Sequence, residues 1–453
     1  MPLRDLLVFF AVVLLLPMSF RRPFIGLLLF SWLAYMRPQD LCWGFARGMR
    51  FSFYVATTMI VGWWVNESHR RKFIKPEIRS YLLIALAVLI SVSLLFARAY
   101  SATTFRYYFE FLKIIVIALF TLSQVDTKAK IRMLLWVICA SLSFYAVKNG
   151  LLGFLRGGSV ILRGPGGMLE DNNDFALALV MNIPLLWYLR SLEDNKWLDR
   201  ACVAAIFLTM VTVMLTHSRG GFLAMSMTVL WILYRSGRIF QAGMSALAMV
   251  GMFFLFAPAH VIERVLSITA GRTDSSVASR LDSWALALRM FADNPVWGVG
   301  LRNFVDNADR YGRVEAGATF VHVAHNSFLQ IAAEGGGLAF IVYMTILCSV
   351  FWSCNWMRRV ARVREDLAWA GVYASMFEAI NIGFLVGGTF LNRGHFDLIY
   401  HFVSLVGCVT LIVRAEVVSR TQVARSTRDA GVIRVRWRSP LAMGAMPRWE
   451  RST

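Results

Sequence analysis

Long apolar blocks alternate with short polar connections along almost the whole chain. They lie at roughly 6–20, 24–36, 51–65, 80–97, 105–123, 131–148, 174–190, 201–217, 220–234, 240–257, 326–354, 368–390 and 395–414. Crossing a hydrocarbon core as helix takes about 20 apolar residues, and inside lipid every backbone polar group must be paired within the protein. The blocks are rich in Leu, Ala, Phe and Met and lack period-2 alternation, so they read as helices and not as barrel strands. The first two are short enough to form one broken crossing or a shallow hairpin. The expected fold is an all-α, polytopic transmembrane bundle of about 12 spans.

The connections divide into two sets. One set carries the basic residues: Arg70, Arg71, Lys72, Lys75 and Arg79, then Lys128, Lys130 and Arg132, then Arg235 and Arg238, then Arg358, Arg359, Arg362 and Arg364. The positive-inside rule places that set in the cytoplasm. The other set comprises 149–173, the tight turn at 216–220, the long segment 258–325 and the turn at 391–396. The long segment balances seven Arg with seven Asp or Glu, as an extracytoplasmic loop domain is free to do. Its pattern predicts an amphipathic helix near 277–292, ended by Asn294-Pro295. The expected organisation is therefore transmembrane helices over 1–257, a helical periplasmic loop domain at 258–325, transmembrane helices at 326–414, and a basic, disordered cytoplasmic tail at 415–453 lying on membrane lipid.

Composition agrees: 58% of residues are hydrophobic and 16% charged, against roughly 45–50% and about 25% in soluble domains. A net charge of +20 would suggest nucleic acid in a soluble protein. Here topology accounts for the Arg and Lys, and no nucleic-acid partner is expected. The six cysteines are scattered, form no Cys-x-x-Cys pair and read as small core residues. The first apolar run is flanked by Asp5 and by Arg21-Arg22-Pro23 without a small-residue cleavage site, so it reads as an anchor.

Four polar clusters fall on the extracytoplasmic side. Thr216-His217-Ser218-Arg219-Gly220-Gly221 joins two blocks with almost no loop. Arg219 thus sits at a membrane boundary, either snorkelling to headgroups or holding an anion, and the Gly pair permits close approach of a ligand or a second backbone. Arg280 opens a second cluster that runs to Gly298, Gly300, Arg302 and Asn303. It pairs with Asp282 or Asp293, or turns its planar fork to phosphate. No strand precedes the glycines, which excludes a dinucleotide loop. The third cluster is His322-Val323-Ala324-His325-Asn326-Ser327, followed by Glu334-Gly335-Gly336-Gly337. Two His three apart fall short of a zinc site, which needs three or four ligands; no metal and no cofactor are expected. The fourth is Arg163-Gly164-Pro165-Gly166-Gly167 with Glu170-Asp171-Asn172-Asn173-Asp174, read as helix capping or as a sugar or phosphate contact. Arg219, Arg280 and His325 are the candidate catalytic residues. Arg163, Asn172, Asp174, Arg302, His322 and Asn326 are the candidate substrate contacts.

Together these clusters resemble the O-antigen ligase family, which groups with O-antigen polymerases and bacterial protein O-oligosaccharyltransferases. The resemblance rests on Ser218-Arg219-Gly220, on Arg280 with Trp284 and Asn294-Pro295-x-x-Gly298-x-Gly300-x-x-Asn303-Phe304, and on His325-Asn326-Ser327-Phe328-Leu329 with Glu334-Gly335. It covers about residues 170–390. The N-terminal third and Asp171-Asn172-Asn173-Asp174 look most like the exosortase-associated O-glycosylation ligases. The resemblance implies a GT-C-type, metal-independent glycosyltransferase in a bacterial inner membrane. Its donor would be a glycan on undecaprenyl pyrophosphate and its acceptor lipid A–core. Arg219 and Arg280 would hold the pyrophosphate and His325 would act as general base. A protein acceptor or a growing lipid-linked chain are the neighbouring alternatives. A lipid or polysaccharide transporter is the alternative of another class, although no internal repeat supports it.

Overall fold

A computed structural model describes residues 3–155, 161–237, 275–311 and 323–429, with the isolated positions 240, 244 and 251. Most of the block at 240–257 lies outside the described residues, as do His322 and everything after Asp429. Among the described residues the fold is helical throughout, and the single extended pairing is an isolated bridge between Arg163 and Asp171. The helices are α1 (Leu3–Arg21), α2 (Pro23–Tyr35), α3 (Phe51–Asn66), α4 (Ile78–Leu94), α5 (Ala102–Gln124), α6 (Lys128–Leu155), α7 (Asn172–Leu189), α8 (Lys196–Leu215) and α9 (Arg219–Arg235). After them come α10 (Ser275–Asp293), α11 (Phe304–Tyr311), α12 (Ser327–Val363), α13 (Ala368–Gly388) and α14 (Asp397–Asp429).

Seven described helices are long and apolar enough to cross a membrane, and α2 and α4 are shorter apolar helices. Local chemistry starts many of them: the side chains of Ser101, Asp171, Asn195, Ser218 and Asn326 each accept a backbone N–H of the first turn that follows, which satisfies donors that have no partner within the helix. The centre of the bundle is α7. It is buried continuously from Asp174 to Leu186 and packs on α6, α8, α9 and α13.

The chain ends on two faces. On one, carboxylates tie down the basic connections: Arg71 bridges Glu67 and Asp126, Lys130 reaches Asp126, Lys128 reaches Glu416, and Arg235 and Arg358 both grip Glu378. On the other lie the connections 36–50, 161–171, 216–218 and 389–396. The first two blocks form two helices, of 19 and 13 residues. Asp5, near the start of α1, accepts hydrogen bonds from the Gly44 and Ala46 amides at 3.0 and 2.9 Å. Asn66, at the end of α3, donates to the Phe20 carbonyl at 2.9 Å. Helix α1 therefore runs parallel to α3 over its full depth, and α2 returns between them. Residue 3 lies on the face of connection 36–50 and the end of α14 on the other.

Two further boundaries differ from the sequence reading. The last helix continues past 414 to Asp429, because no Gly or Pro interrupts 415–429 and Ala, Glu, Gln and Arg propagate helix well; Glu416 is held by Lys128 at 3.4 Å. The block at 326–354 is a broken helix, with Gly336 at φ 75° and ψ 179° inside α12. The expected amphipathic helix of the long loop is present as α10. Its Leu286, Ala287 and Met290 pack against Val299, Phe304, Ala324 and Ala333, whereas Leu288 faces outward at 53% exposure.

Candidate functional site

The face opposite the basic connections gathers the candidate residues through three local devices. The first is the turn between α8 and α9. His217 adopts a left-handed φ of 53°, Ser218 Oγ caps α9 by accepting from Gly221 N at 3.0 Å, and Asn172 Nδ2 anchors the turn by donating to the Thr216 carbonyl at 2.8 Å. The Gly220-Gly221 pair serves packing: a Cβ on Gly220 would lie 2.8 Å from that of Phe390, and one on Gly221 2.7 Å from that of Ala176. Arg219 is thereby delivered, half-buried, as the first residue of α9.

The second device is a backbone clasp that holds the long loop on the broken helix. Val299 N donates to the Ala333 carbonyl at 2.9 Å, Gly300 N to the Glu334 carbonyl at 3.0 Å, and Gly337 N to the Pro295 carbonyl at 2.7 Å. Ser93 Oγ adds a bond of 2.6 Å to the Glu334 carbonyl. Side chains would block this approach: a Cβ on Gly298 would lie 2.5 Å from the Glu334 oxygen and one on Gly336 2.1 Å from the Val296 oxygen. Positive φ at Gly298, Gly300 and Gly336 selects glycine independently. The glycines of the motif thus fasten α10 to α12. Arg280 projects from α10, and its pKa is lowered by burial and by the charge of Arg219. Two cations 61 positions apart in the chain have been brought within each other's field.

The third device is the connection 389–396. Ser327 Oγ, at the start of α12, donates to the Leu391 carbonyl at 2.8 Å and accepts from Arg393 N at 3.0 Å. The Arg393 guanidinium grips buried Asp174 at 2.6 and 2.5 Å. Asp174 is thus committed to an ion pair. Asn172 and Asn326 are committed to backbone groups, the latter as the cap of α12 with bonds of 3.0 and 3.1 Å to Phe328 N and Leu329 N. His325 immediately precedes that cap at φ 45°.

Arg163 and Arg302 line a cavity of about 1070 Å³ together with Arg37, Arg393 and His395; Arg219, Arg280 and His325 are not part of its wall. Arg302 stacks on Tyr107 with its guanidinium carbon 3.7 Å from the ring centre. His395 is held neutral, its pKa pushed down to about 3 by burial and then by the Arg302 charge. Arg37, Arg393, His395 and the charges within α5 escaped the sequence reading. The available signals were Arg393 and His395 in a two-helix turn and three charges inside the apolar block at 105–123. Among the non-glycine described residues, positive φ occurs at Arg37, His217, Arg302 and His325. All are basic residue types on this face, where strain often marks function. Among the described residues, no three His, Cys, Asp or Glu side chains gather as metal ligands.

Comparison with known families divides the chain along similar lines. Residues 3–194 match a family of unknown function, DUF5935, and residues 204–344 match the family described as O-antigen ligase. No curated protein matches the chain. The second match includes the α8–α9 turn, α10, the clasp and His325. Over residues 204–344, the chain is similar to the O-antigen ligase family.

Proposed function

We propose that the protein transfers a glycan from undecaprenyl pyrophosphate to lipid A–core at the periplasmic face of the inner membrane, as a metal-independent, inverting enzyme of GT-C type. The observation that carries this reading is the Arg219–Arg280 pair. Burial and then the Arg219 charge lower the pKa of Arg280, and a multiply charged anion between the two guanidinium groups would stabilise both. A departing pyrophosphate is such an anion, and its charge grows as the glycosidic bond breaks, so fixed cations favour the transition state over the ground state.

In the proposed step His325 accepts the proton of an acceptor hydroxyl. The hydroxyl oxygen bonds to the anomeric carbon from the side opposite the pyrophosphate. The C–O bond to pyrophosphate breaks, and its electron pair leaves on the phosphate oxygen beside Arg219 and Arg280. Arg is suited to that position because its planar donors match phosphate oxygens in pairs.

The test is transfer from one lipid-linked donor, supplied to purified enzyme with lipid A–core, an acceptor peptide or a second lipid-linked glycan. The proposal expects product on lipid A–core. Product only on peptide or only on the lipid-linked glycan would reassign the enzyme to protein O-glycosylation or to polymerisation. Removal of Arg219 or Arg280 should raise the barrier by roughly 3–4 kcal/mol, about a hundred- to a thousandfold in rate. An active His325→Ala enzyme would remove the general base from the mechanism.

A further inference from the structure

The cavity of about 1070 Å³ has one wall that a soluble substrate would not require. Helix α3 packs on α1 and α2, and α5 packs on α14 and α4, so the two helices leave a gap between them. The α3 side of the gap is apolar, with Phe53, Ala56, Ile60 and Val61 facing the cavity. The α5 side carries Arg106, Glu110 and Lys113, at the i, i+4, i+7 spacing that keeps them on one helical face. Arg106 and Glu110 pair at 3.3 Å. Lys113 is exposed and makes no salt bridge among the described residues. It lies about 17 Å along the helix from Ala102, at 1.5 Å per residue. A lysine at that depth is expensive against hydrocarbon and marks a path for water or an anion.

The end of the cavity on the site face is polar. Arg37 is braced by Asp40 at 2.5 Å, and Arg163, Arg302 and Arg393 join it; in all, six Arg or Lys stand against four Asp or Glu in the lining. Both ring nitrogens of His395 and the Asn392 Oδ1 are buried in this wall without hydrogen-bond partners. A basic, hydrogen-bonding end and an apolar flank open to lipid match one kind of molecule, an amphiphile with an anionic head.

We propose that this cavity binds a phosphate-bearing membrane lipid, which enters sideways between α3 and α5 and places its phosphate among Arg37, Arg302 and Arg393. Most of the wall belongs to residues 30–171, inside the segment that matches the family of unknown function. That segment thereby acquires a role, as a lipid-binding unit. The inference concerns binding alone and stands apart from the glycosyl-transfer reading.

The test uses purified full-length protein in neutral detergent, with bound species counted by native mass spectrometry. The probes are undecaprenyl phosphate, phosphatidylglycerol, undecaprenol and inorganic phosphate. At least one phospho-lipid should bind tenfold or more tightly than both undecaprenol and inorganic phosphate. Lys113→Met removes the charge in the gap and Thr57→Trp fills it; both positions are exposed, so folding is preserved. Each should weaken lipid binding at least fivefold. Equal binding of undecaprenol, equal binding of inorganic phosphate, or full affinity in both variants would overturn the proposal. Loss of transfer with lipid binding intact would instead count against the catalytic reading and leave this one standing.

Discussion

At the scale of single residues, the site face uses its charges in two ways. Asp174 and Arg393 neutralise each other and fix the start of α7 to the connection before α14, whereas Arg219 and Arg280 are brought together despite their repulsion. The first arrangement builds the scaffold, and the second is the one that the proposed transfer would use to hold an anion. His395 supplies a test of the electrostatics. Its ring titrates near pH 3 in the fold and near 6.5 when unfolded. Between those values the unfolded chain binds more protons, so stability is fully present above pH 6.5 and falls as the pH drops towards 3. Thermal unfolding of the wild type should therefore occur at lower temperature at pH 5 than at pH 7, and His395→Gln should shrink that difference. A difference of the same size in both proteins would show that the ring ionises within the fold.

At the scale of elements, the decisive feature is the clasp between the loop 295–300 and the break in α12. Gly336→Ala sets a Cβ 2.1 Å from the Val296 oxygen at a φ of 75°. The backbone strain alone should cost roughly 1–3 kcal/mol, and release of the clasp should detach α10 with Arg280. Gly48→Ala meets nothing within 4 Å and is the matched control. Thermal unfolding of the two variants side by side checks the argument; equal unfolding temperatures would show that the clasp contributes little. On the opposite face, Glu378 is the shared anchor of Arg235 and Arg358, at 2.9 and 2.5 Å. Glu378→Gln leaves two guanidinium groups without a counter-charge at the junction of α9, α12 and α13. A loss of about 3 kcal/mol is expected, the lower end for a broken buried pair because Arg235 is partly exposed.

At the scale of the whole molecule, the α1–α3 arrangement decides which face each end of the chain occupies. The Asp5–Gly44 contact puts the beginning of α1 on the same face as the candidate site; if the basic connections are cytoplasmic, as the positive-inside rule expects, that face would be periplasmic. Trp43 and Trp197 are exposed at 76% and 77% and lie on opposite faces. In cells with a permeabilised outer membrane, a membrane-impermeant thiol reagent should label Trp43→Cys and spare Trp197→Cys, and a tag before residue 3 should be accessible together with position 43. Labelling of position 197 alone would invert the molecule and place Arg219 in the cytoplasm.

The sequence by itself determined the helical, membrane-crossing character of the chain, the helix starts at Asp171, Ser218 and Asn326, the amphipathic α10 and the family motifs, because apolar length, capping chemistry and short signatures are local properties. Local information also pointed to Arg219 and Arg280, although nothing in it required them to meet. Only the tertiary structure decided the depth and direction of α1, the break at Gly336, and the partners of Asp174 and Arg235. It alone gave Arg37, Arg393, His395 and the α5 charges one cavity. Each of these depends on contacts between segments far apart in the chain. A charge inside an apolar block, or a glycine in a helix, acquires its meaning from what stands opposite it.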